Sequence, residues 1–333
     1  MPSRQRPPTM LFTLLLSLLC LWSNTGASQS NHTIVRYPQR VVRFVVPFSP
    51  GASNDVIARL LAQKLTERWG QQVVVDNRAG AGGMLGAEIV SKAQADGYTL
   101  LMANPGANTI NYSLRPQMPY QASDFAPVML LGWSPILLVT GVSHPARNLK
   151  ELIAMARARP GQFSGGSSGT GGSSHLALEL FKMLAGVDIL HVPYKGAGPA
   201  ISDLVAGQLS LIFTTSVTAQ PMINSGKLKA LAVAGNQRLA IYPDIPTSTE
   251  QGLPGFEVPI WFGLVVPAQT PRPIIEKLNH DLQSTLNLTE IKDRFFALGL
   301  EPQGGPAERF GRLLEEDTAR WRRVIKSANI KLD

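Results

Sequence analysis

The sequence predicts an α/β protein made of two doubly wound halves, and two observations carry this prediction. Short apolar runs rich in β-branched residues alternate along the chain with stretches whose apolar residues recur at helical spacing. Loops rich in Gly, Ser and Pro follow the predicted strands. Because open α/β sheets bind ligands at the carboxyl ends of their strands, these loops predict a binding cleft.

The first complete unit is Val41–Arg59. Val41–Val46 is an apolar run that predicts a buried strand, and the turn residues Pro47–Asn54 follow it. Asp55 then opens an apolar pattern with helical spacing. A helix that starts after such a loop presents unpaired backbone N–H groups and the positive end of its dipole, so the unit predicts an anion site.

The rest of the chain repeats this unit. In the first half, two further strands alternate with a helix, which predicts a parallel sheet with right-handed crossovers. The chain is predicted to enter a second domain near Gly132–Pro135 and to return with the strand Ile260–Val266. The other predicted elements are strands 72–76, 98–103, 188–192, 209–213 and 229–234, helices 84–93, 149–156, 175–184 and 271–286, and loops 77–83, 164–174 and 193–199.

The predicted domains follow from these crossings. Residues 28–131 and 258–333 form a discontinuous first domain, residues 132–257 form the second, and the cleft between them is the natural pocket. Residues 1–27 are predicted to be a signal peptide: Arg4 and Arg6 precede the apolar core Leu11–Trp22, and Ala27 ends an acceptable cleavage site. We therefore expect an exported protein.

Composition excludes several classes of protein. Cys20 is the only cysteine and lies within the predicted signal peptide, so we expect no disulfide, thiolate metal site or cysteine nucleophile after cleavage. The 31 basic residues outnumber the 23 acidic ones. They are not interleaved with aromatics, so nucleic-acid binding is not expected, and the positive charge weakly favours an anionic ligand.

No catalytic centre is expected. The segment 165–169 matches the G-x-S-x-G motif of serine hydrolases, which requires a strand directly before the serine. The preceding segment, Gln162 and Phe163, is short and polar, so a chance match is favoured. Segments 80–83 and 169–172 resemble dinucleotide fingerprints without the acidic residue that the next strand should carry. No two histidines have metal-binding spacing beside a carboxylate, so neither a metal nor a cofactor is expected.

Several single residues have two interpretations. For Asp55 we favour a structural role in holding its own loop, and for His175 a role as a hydrogen-bond donor that orders a loop. His191 is predicted to lie in the core. Arg78 either faces the cleft or forms a surface ion pair, and the pair Trp261–Phe262 either walls the pocket or fills the core.

Longer stretches carry a resemblance to a known family. The segments PFSPGASND, VVVDNRAGAGGMLGAEIVSKAQADGYTLLMA, SSGTGGSSHLALELFK, HVPYKGAGPAISDLVAGQL and WFGLVVPAQTP resemble the Bug proteins, the substrate-binding components of tripartite tricarboxylate transporters. The resemblance spans nearly the whole chain after residue 27. It implies a type II periplasmic-binding-protein fold in which two α/β domains close over the ligand.

The resemblance also implies which loops bind the ligand. The first is Phe48–Ser53, which Asp55 supports. Where the family often has a second glycine, this chain has Ala52, whose methyl group narrows the loop. The predicted ligand-binding residues are Phe48, Ser49, Gly51, Ala52, Ser53, Asn104, Gly106, Ala107, Ser168, Gly169, Thr170, Gly171, Ser174, His175, Tyr194, Lys195, Gly196 and Thr215.

The function implied is capture of a small carboxylate (a dicarboxylate, amino acid or aromatic acid) in the periplasm, followed by delivery to membrane permease subunits. The carboxylate is expected to be held largely by backbone amides and bridging waters. We expect a monomer that makes and breaks no bond. Two alternatives stay open: an orphan receptor for a sensor system, and a serine hydrolase that uses the 165–169 loop.

Overall fold

The computed structural model describes Met1, residues 37–327 and Ile330. The predicted signal peptide, apart from Met1, lies outside the described residues. Among the residues described, no helix combines the length and the apolar character needed to cross a membrane.

Strands and helices alternate through most of residues 37–327. The strands are β1 (Val42–Val46), β2 (Val73–Asn77), β3 (Thr99–Ala103), β4 (Phe125–Ser134), β5 (Ile136–Gly141), β6 (Phe163–Ser167), β7 (Ile189–Pro193), β8 (Leu211–Thr215), β9 (Leu228–Ala234), β10 (Ile260–Pro267) and β11 (Glu301–Pro302). The α-helices are α1 (Ser53–Trp69), α2 (Met84–Ser91), α3 (Asn111–Leu114), α4 (Leu149–Ala158), α5 (Ser173–Ala185), α6 (Ala197–Val205), α7 (Ser216–Asn224), α8 (Arg272–Leu286), α9 (Thr289–Ala297) and α10 (Ala307–Ser327).

The strands form two sheets, and we call the part of the chain built on each sheet a lobe. The first lobe has a six-stranded sheet in the order β11-β4-β10-β3-β1-β2, and the second a five-stranded sheet in the order β7-β6-β8-β5-β9. In the first sheet β1 runs parallel to β2 and β3, as predicted. The complete sheet is mixed, because β10 returns from the second lobe antiparallel to both β3 and β4.

The chain crosses between the sheets twice. β4 ends at Ser134 and β5 begins at Ile136, so the first crossing takes place at Pro135. The second crossing uses the segment 235–259 between β9 and β10. The predicted domain boundary after residue 131 falls inside β4, and the domain limits themselves stay a prediction.

Most predicted elements lie within three residues of the observed ones, and the main exception is β6. The first residues of the predicted loop Ser164–Ser174 form this buried strand instead. Gly165 and Gly166 occur there because a Cβ atom would lie 2.8 Å from Leu178 and 2.5 Å from Leu209 respectively. The small residues that close packing requires therefore give β6 a composition that is typical of a loop. Sequence reasoning also missed α7, α9 and the π-helical turn Gly106–Ile110.

Aromatic side chains fill the core of each lobe. In the first lobe Trp261 packs edge-on against Phe310 and donates through Nε1 to Asp317, 2.9 Å away. In the second lobe Phe181, Phe213 and Phe256 form a mutually packed cluster. These clusters hold the carboxyl end of β8 and the amino end of β10 in place between the two sheets.

Candidate functional site

A cavity of about 60 Å³ lies between the two sheets. It has room for on the order of four to six water molecules. Both lobes contribute to its wall, which is lined by Phe48, Ala52, Ser53, Asn54, Asn104, Ile136, Ser168, Ser173, Ser174, Ala197, Phe213, Thr214, Thr215, Thr218, Ile260 and Phe262. Every polar side chain in this wall is a hydroxyl or a carboxamide, so the wall carries no formal charge.

Two residues of the first lobe that line this cavity, Asn54 and Asn104, carry unpaired hydrogen-bond donors. The side-chain amino groups of Asn54 and Asn104 are buried and have no hydrogen-bond partner among the described residues. The orientation of Asn104 is set by its oxygen, which accepts from the backbone N–H of Ala107 at 3.2 Å. A buried donor without a partner is unfavourable, so both groups are suited to a ligand that brings acceptor oxygens.

Asp55 of α1 stabilises the loop between β1 and α1, which we call the first loop. Its carboxylate accepts from the backbone N–H of Gly51 at 2.9 Å and from the side chain of Asn77 at 2.9 Å, and it pairs with Arg59. Burial alone raises the pKa of Asp55, but the hydrogen bonds from Arg59, Gly51 and Asn77 outweigh burial and leave this pKa below its usual range. Asp55 is therefore an ionised structural anchor, as the sequence predicted.

The second lobe presents a glycine-rich loop between β6 and α5, and several of its backbone donors are paired with nearby side chains. Ser174 Oγ accepts from the backbone N–H of Ser168 at 2.8 Å, and Ser167 Oγ accepts from Gly169 at 3.2 Å. His175 Nδ1 accepts from the backbone N–H of Gly171 at 3.1 Å. The loop is thus ordered by side chains from its own flanks.

These contacts pair several of the loop amides that the sequence predicted to be unpaired. In the first loop the N–H of Gly51 donates to Asp55, that of Ala52 to Ser49 and that of Ser53 to Thr218. His175 orders its loop by accepting at Nδ1, whereas the sequence predicted a donor. Among the side chains of the cavity wall, the amino groups of Asn54 and Asn104 are the buried donors without a partner in the described residues.

The lobes meet along a seam of glycines, which we define as Gly82, Gly106, Gly171 and Gly196. A Cβ atom on Gly82 would lie 2.7 Å from the Thr170 carbonyl oxygen, and one on Gly196 would lie 2.2 Å from the Ser49 hydroxyl. Gly171 accepts at its carbonyl from Asn111 of the first lobe at 3.2 Å. Main chain therefore approaches main chain across the cleft, and the structure is a closed conformation.

A hydroxyl cluster adds a second link between the lobes. Ser53 Oγ and Thr218 Oγ1 are 2.7 Å apart, and the Ser53 N–H donates to the same Thr218 oxygen at 3.2 Å. Ser53 Oγ also forms a hydrogen bond with Thr215 Oγ1. This cluster borders the cavity, so closure and cavity wall share residues.

The structure sorts the predicted site residues into two groups, although ligand contact itself stays a prediction for all of them. Seven line the cavity: Phe48, Ala52, Ser53, Asn104, Ser168, Ser174 and Thr215. The others do not line it, and they form the seam, support the loops or lie farther out: Ser49, Gly51, Gly106, Ala107, Gly169, Thr170, Gly171, His175, Tyr194, Lys195 and Gly196. Lys195 is exposed, and the hydroxyl of Tyr194 donates to Asp203 at 2.6 Å.

Sequence reasoning missed part of the wall. Phe213 and Ile260 come from strands far apart in the chain, and nothing in either local sequence marks a cleft position. Asn54 had a usable signal, since it is a polar residue in the first turn of a helix that follows a small-residue loop. The sequence left open whether Trp261 and Phe262 line the pocket or fill the core. Trp261 lies in the core, and Phe262 lines the cavity.

The remaining ambiguous residues are placed by their contacts. Arg78 is exposed and pairs with Asp76 at 3.0 Å. Of its two interpretations, the surface ion pair is therefore the one observed. His191 is half-buried and lies 2.6 Å from Ser167 Oγ, so its prediction as a fully buried core residue is wrong. Within the described residues, no group of three or more His, Cys, Asp or Glu side chains is arranged to hold a metal ion.

Two α/β lobes joined by two crossings, with a cavity between them, define a periplasmic-binding-protein fold of type II. Residues 57–330 match the family model described as the tripartite tricarboxylate transporter family receptor, TctC. The chain belongs to this family of solute-binding proteins. The predicted family and fold class are confirmed.

Relatives and solved structures agree with this membership. The chain is 35% identical over 325 residues to the protein BugT of Bordetella pertussis, covering 97% of this chain and 100% of BugT. It is similar to the structure of Rpa4515 of R. palustris with adipate, at 37% identity and a TM-score of 0.86, covering 89% of this chain and 99% of that one. The structure of the periplasmic binding protein BugD is similar at 34% identity and a TM-score of 0.85, with coverage of 89% and 99%.

Proposed function

We propose that this protein captures a small carboxylate in the cavity between its lobes and delivers it to the membrane permease of a tripartite tricarboxylate-type transporter. The observation that carries the proposal is that Asn54 and Asn104, two residues of the cavity wall, have buried amino groups without a hydrogen-bond partner among the described residues. A carboxylate offers the acceptor oxygens that these donors lack. The adipate bound to Rpa4515 is a carboxylate in a related protein, which supports the same class.

The proposal has further parts. The protein acts in the periplasm after removal of residues 1–27, works as a monomer, and has the two lobes as its domains. Ligand contacts with both lobes favour the closed conformation over the open one, and the permease then receives the ligand from this closed state. No bond is made or broken in this cycle.

The first experiment is mass spectrometry of small molecules released from the purified, denatured protein, followed by calorimetry with each candidate. We expect a carboxylate that raises the melting temperature and is recovered unchanged after incubation with the protein. A bound molecule without a carboxyl group would contradict the proposal. So would a crystal structure with the ligand outside the cavity between the lobes.

A serine hydrolase is the second candidate, because one contact favours it. Ser167 Oγ lies 2.6 Å from His191 Nε2, and β6 leads directly into this serine, as the G-x-S-x-G motif requires. Ser167 is fully buried, however, and its neighbour Ser168 faces the cavity. We therefore expect no hydrolysis of p-nitrophenyl acetate above the Ser167→Ala control, and a serine-dependent rate would reverse this conclusion.

A further inference from the structure

The hydroxyl of Ser49 lies where the first loop meets the second lobe. A Cβ atom added to Gly196 would collide with this oxygen, and one added to Gly198 would lie 3.7 Å from it. Both glycines belong to the second lobe, at the start of α6. The Ser49 hydroxyl is therefore packed against the main chain of the opposite lobe.

This hydroxyl is buried and has no hydrogen-bond partner among the described residues. Ser49 as a whole is only half-buried, and the next residues, Pro50 and Gly51, are exposed. Because the loop lies at the surface of its own lobe, the burial of the Ser49 oxygen is due to the second lobe. Opening of the cleft would return this hydroxyl to water.

Two other polar side chains of the first lobe are paired across the same junction. Ser53 Oγ and Thr218 Oγ1 are 2.7 Å apart, and Asn111 donates to the carbonyl oxygen of Gly171 at 3.2 Å. These hydrogen bonds compensate for the water that the groups lose when the lobes meet. Ser49 differs, because its hydroxyl loses water on closure and gains no bond within the described part of the chain.

We propose that the Ser49 hydroxyl opposes closure of the cleft, so that the ligand-free protein is mainly open. A buried hydroxyl without a partner is unfavourable, and a bound ligand must offset this unfavourable term before the closed conformation dominates. The apparent affinity is reduced by the fraction of ligand-free protein that is able to close. Ser49 is thereby assigned as a residue that sets affinity through the conformational equilibrium, without contact with the ligand.

This inference rests on the proposed function, in which the permease receives the ligand from the closed conformation. It adds a reason why unloaded protein does not compete for that permease. Without a ligand, the unpaired hydroxyl drives the lobes apart, and the closed surface is presented only when cargo is bound.

Distances between the lobes of the ligand-free protein test this inference. Cys20 is the only native cysteine, so in a Cys20→Ser background the variants Gln63→Cys and Ser202→Cys supply one pair of spin labels. Gln63 lies on α1 of the first lobe and Ser202 on α6 of the second, and both are exposed. Pulsed electron spin resonance then measures the fraction of molecules at the distance of the closed conformation. We expect Ser49→Ala to raise the ratio of closed to open protein about tenfold, which corresponds to about 1.4 kcal/mol.

Ser113→Ala is the matched control for this variant. The Ser113 hydroxyl is also buried without a hydrogen-bond partner in the part of the chain that the structure describes. It belongs to α3, and the cavity beside it is lined by residues of the first lobe. Its removal should change the open and closed conformations equally and leave their ratio as in the wild type. An equal rise in both variants would overturn the inference, because contact between the lobes would then not explain the effect.

Calorimetry with adipate, the compound bound to Rpa4515, gives a second measurement. We expect Ser49→Ala to bind adipate about tenfold more tightly than the wild type, whereas a serine that contacts the ligand would give weaker binding after the substitution. Unchanged or weaker binding overturns the inference, and so does a closed fraction that does not rise, with folding verified by circular dichroism. If adipate binds neither protein, the distances alone decide. Because the distances are measured without a ligand, a co-purified molecule that lacks a carboxyl group would contradict the proposed function and leave this inference intact.

Discussion

The loops that the two lobes bring to the cleft are alike in sequence but differ in the side-chain donors beside them. Both follow a strand and open a helix, and both are rich in small residues. Each pairs several backbone amides with nearby side chains: Gly51 with Asp55 in the first lobe, and Ser168 with Ser174 in the second. Only the first lobe adds cavity-lining residues, Asn54 and Asn104, whose amino groups have no partner among the described residues. The first lobe therefore keeps side-chain donors for a ligand, while side chains of the second lobe order its own loop.

Gly82→Ala is the strongest way to break this arrangement, because Gly82 is where the two surfaces touch. Its new Cβ atom would lie 2.7 Å from the Thr170 carbonyl oxygen and 2.8 Å from the Gly172 nitrogen, which holds the lobes apart. We expect about a hundredfold loss of affinity for the tightest-binding carboxylate, or about 2.7 kcal/mol. Calorimetry measures the affinity, and small-angle scattering with that ligand shows whether the closed form is lost.

Gly70→Ala is the matched control for that variant. Both glycines have φ of +64°, so both substitutions carry the same left-handed backbone strain of about 1 kcal/mol. A Cβ atom on Gly70 meets nothing within 4 Å. Equal losses of affinity in the two variants would mean that strain, and not contact across the cleft, explains the effect.

Asp55→Asn tests the anchor of the first loop. The variant loses charge-assisted hydrogen bonds to Gly51 and Arg59, so we expect the free energy of unfolding at pH 7 to fall by about 2 kcal/mol. The folded-state pKa of Asp55 lies below its unfolded value. Its contribution is therefore complete above the ordinary carboxyl pKa of about 3.9 and is lost as the pH falls through the folded pKa.

Urea unfolding of both proteins at pH 7 and pH 3 measures this difference, which should shrink at the lower pH. Asp76→Asn is the control, since Asp76 of β2 pairs with Arg43 of β1 and with Arg78 without contacting the loop that Asp55 holds. Its effect should be smaller, because exposed ion pairs contribute about 0–1 kcal/mol. A difference between wild type and Asp55→Asn that is independent of pH would contradict the role of the charge.

Ser174→Ala tests whether the glycine-rich loop between β6 and α5 is stabilised by its own side chains. It removes the acceptor of the Ser168 N–H, and a backbone donor left without its partner costs about 1.5 kcal/mol of folding stability. Thermal unfolding measures this loss. Ser173→Ala, at a neighbouring cavity position whose hydroxyl takes no part in these bonds, should unfold like the wild type. A Ser174→Ala protein of unchanged stability would show that the loop does not depend on this bond.

Thr218→Val has the smallest expected effect and concerns the link between the lobes. It removes the oxygen that meets the Ser53 hydroxyl and N–H, so closure should weaken by about 1 kcal/mol, or about fivefold in Kd. Thr140→Val makes the same change in β5, where the buried hydroxyl has no hydrogen-bond partner within the described residues. Calorimetry should find wild-type affinity in Thr140→Val, and an equal loss in both variants would argue against the link.

The fold could be predicted because its signals are local. The apolar run of β1 and the helical spacing of α1 depend only on neighbouring residues, and loop composition marks where strands end. The antiparallel return of β10 is not local, since it depends on where the chain re-enters the first lobe. β6 was missed for a related reason: Gly165 and Gly166 are small because Leu178 and Leu209 pack against them.

The site could be predicted only in part. Composition located the loops, and seven of the predicted residues line the cavity. Whether an amide is free, however, is decided by side chains such as Asp55 and His175 that fold back on it. The wall formed by Phe213 and Phe262 depends on the register of two distant strands in the assembled sheets.

The glycine seam is the part of the closing contact that lies outside the cavity wall, since none of its four glycines lines the cavity. Because the lobes meet there largely through main chain, that part of the contact does not depend on which side chains line the cavity. Exchanging the three phenylalanines of the wall could then retune which compound is recognised while the closing motion is retained. Such a protein is a natural starting frame for engineered sensors, in which a dye placed beside the seam would report different analytes through one movement.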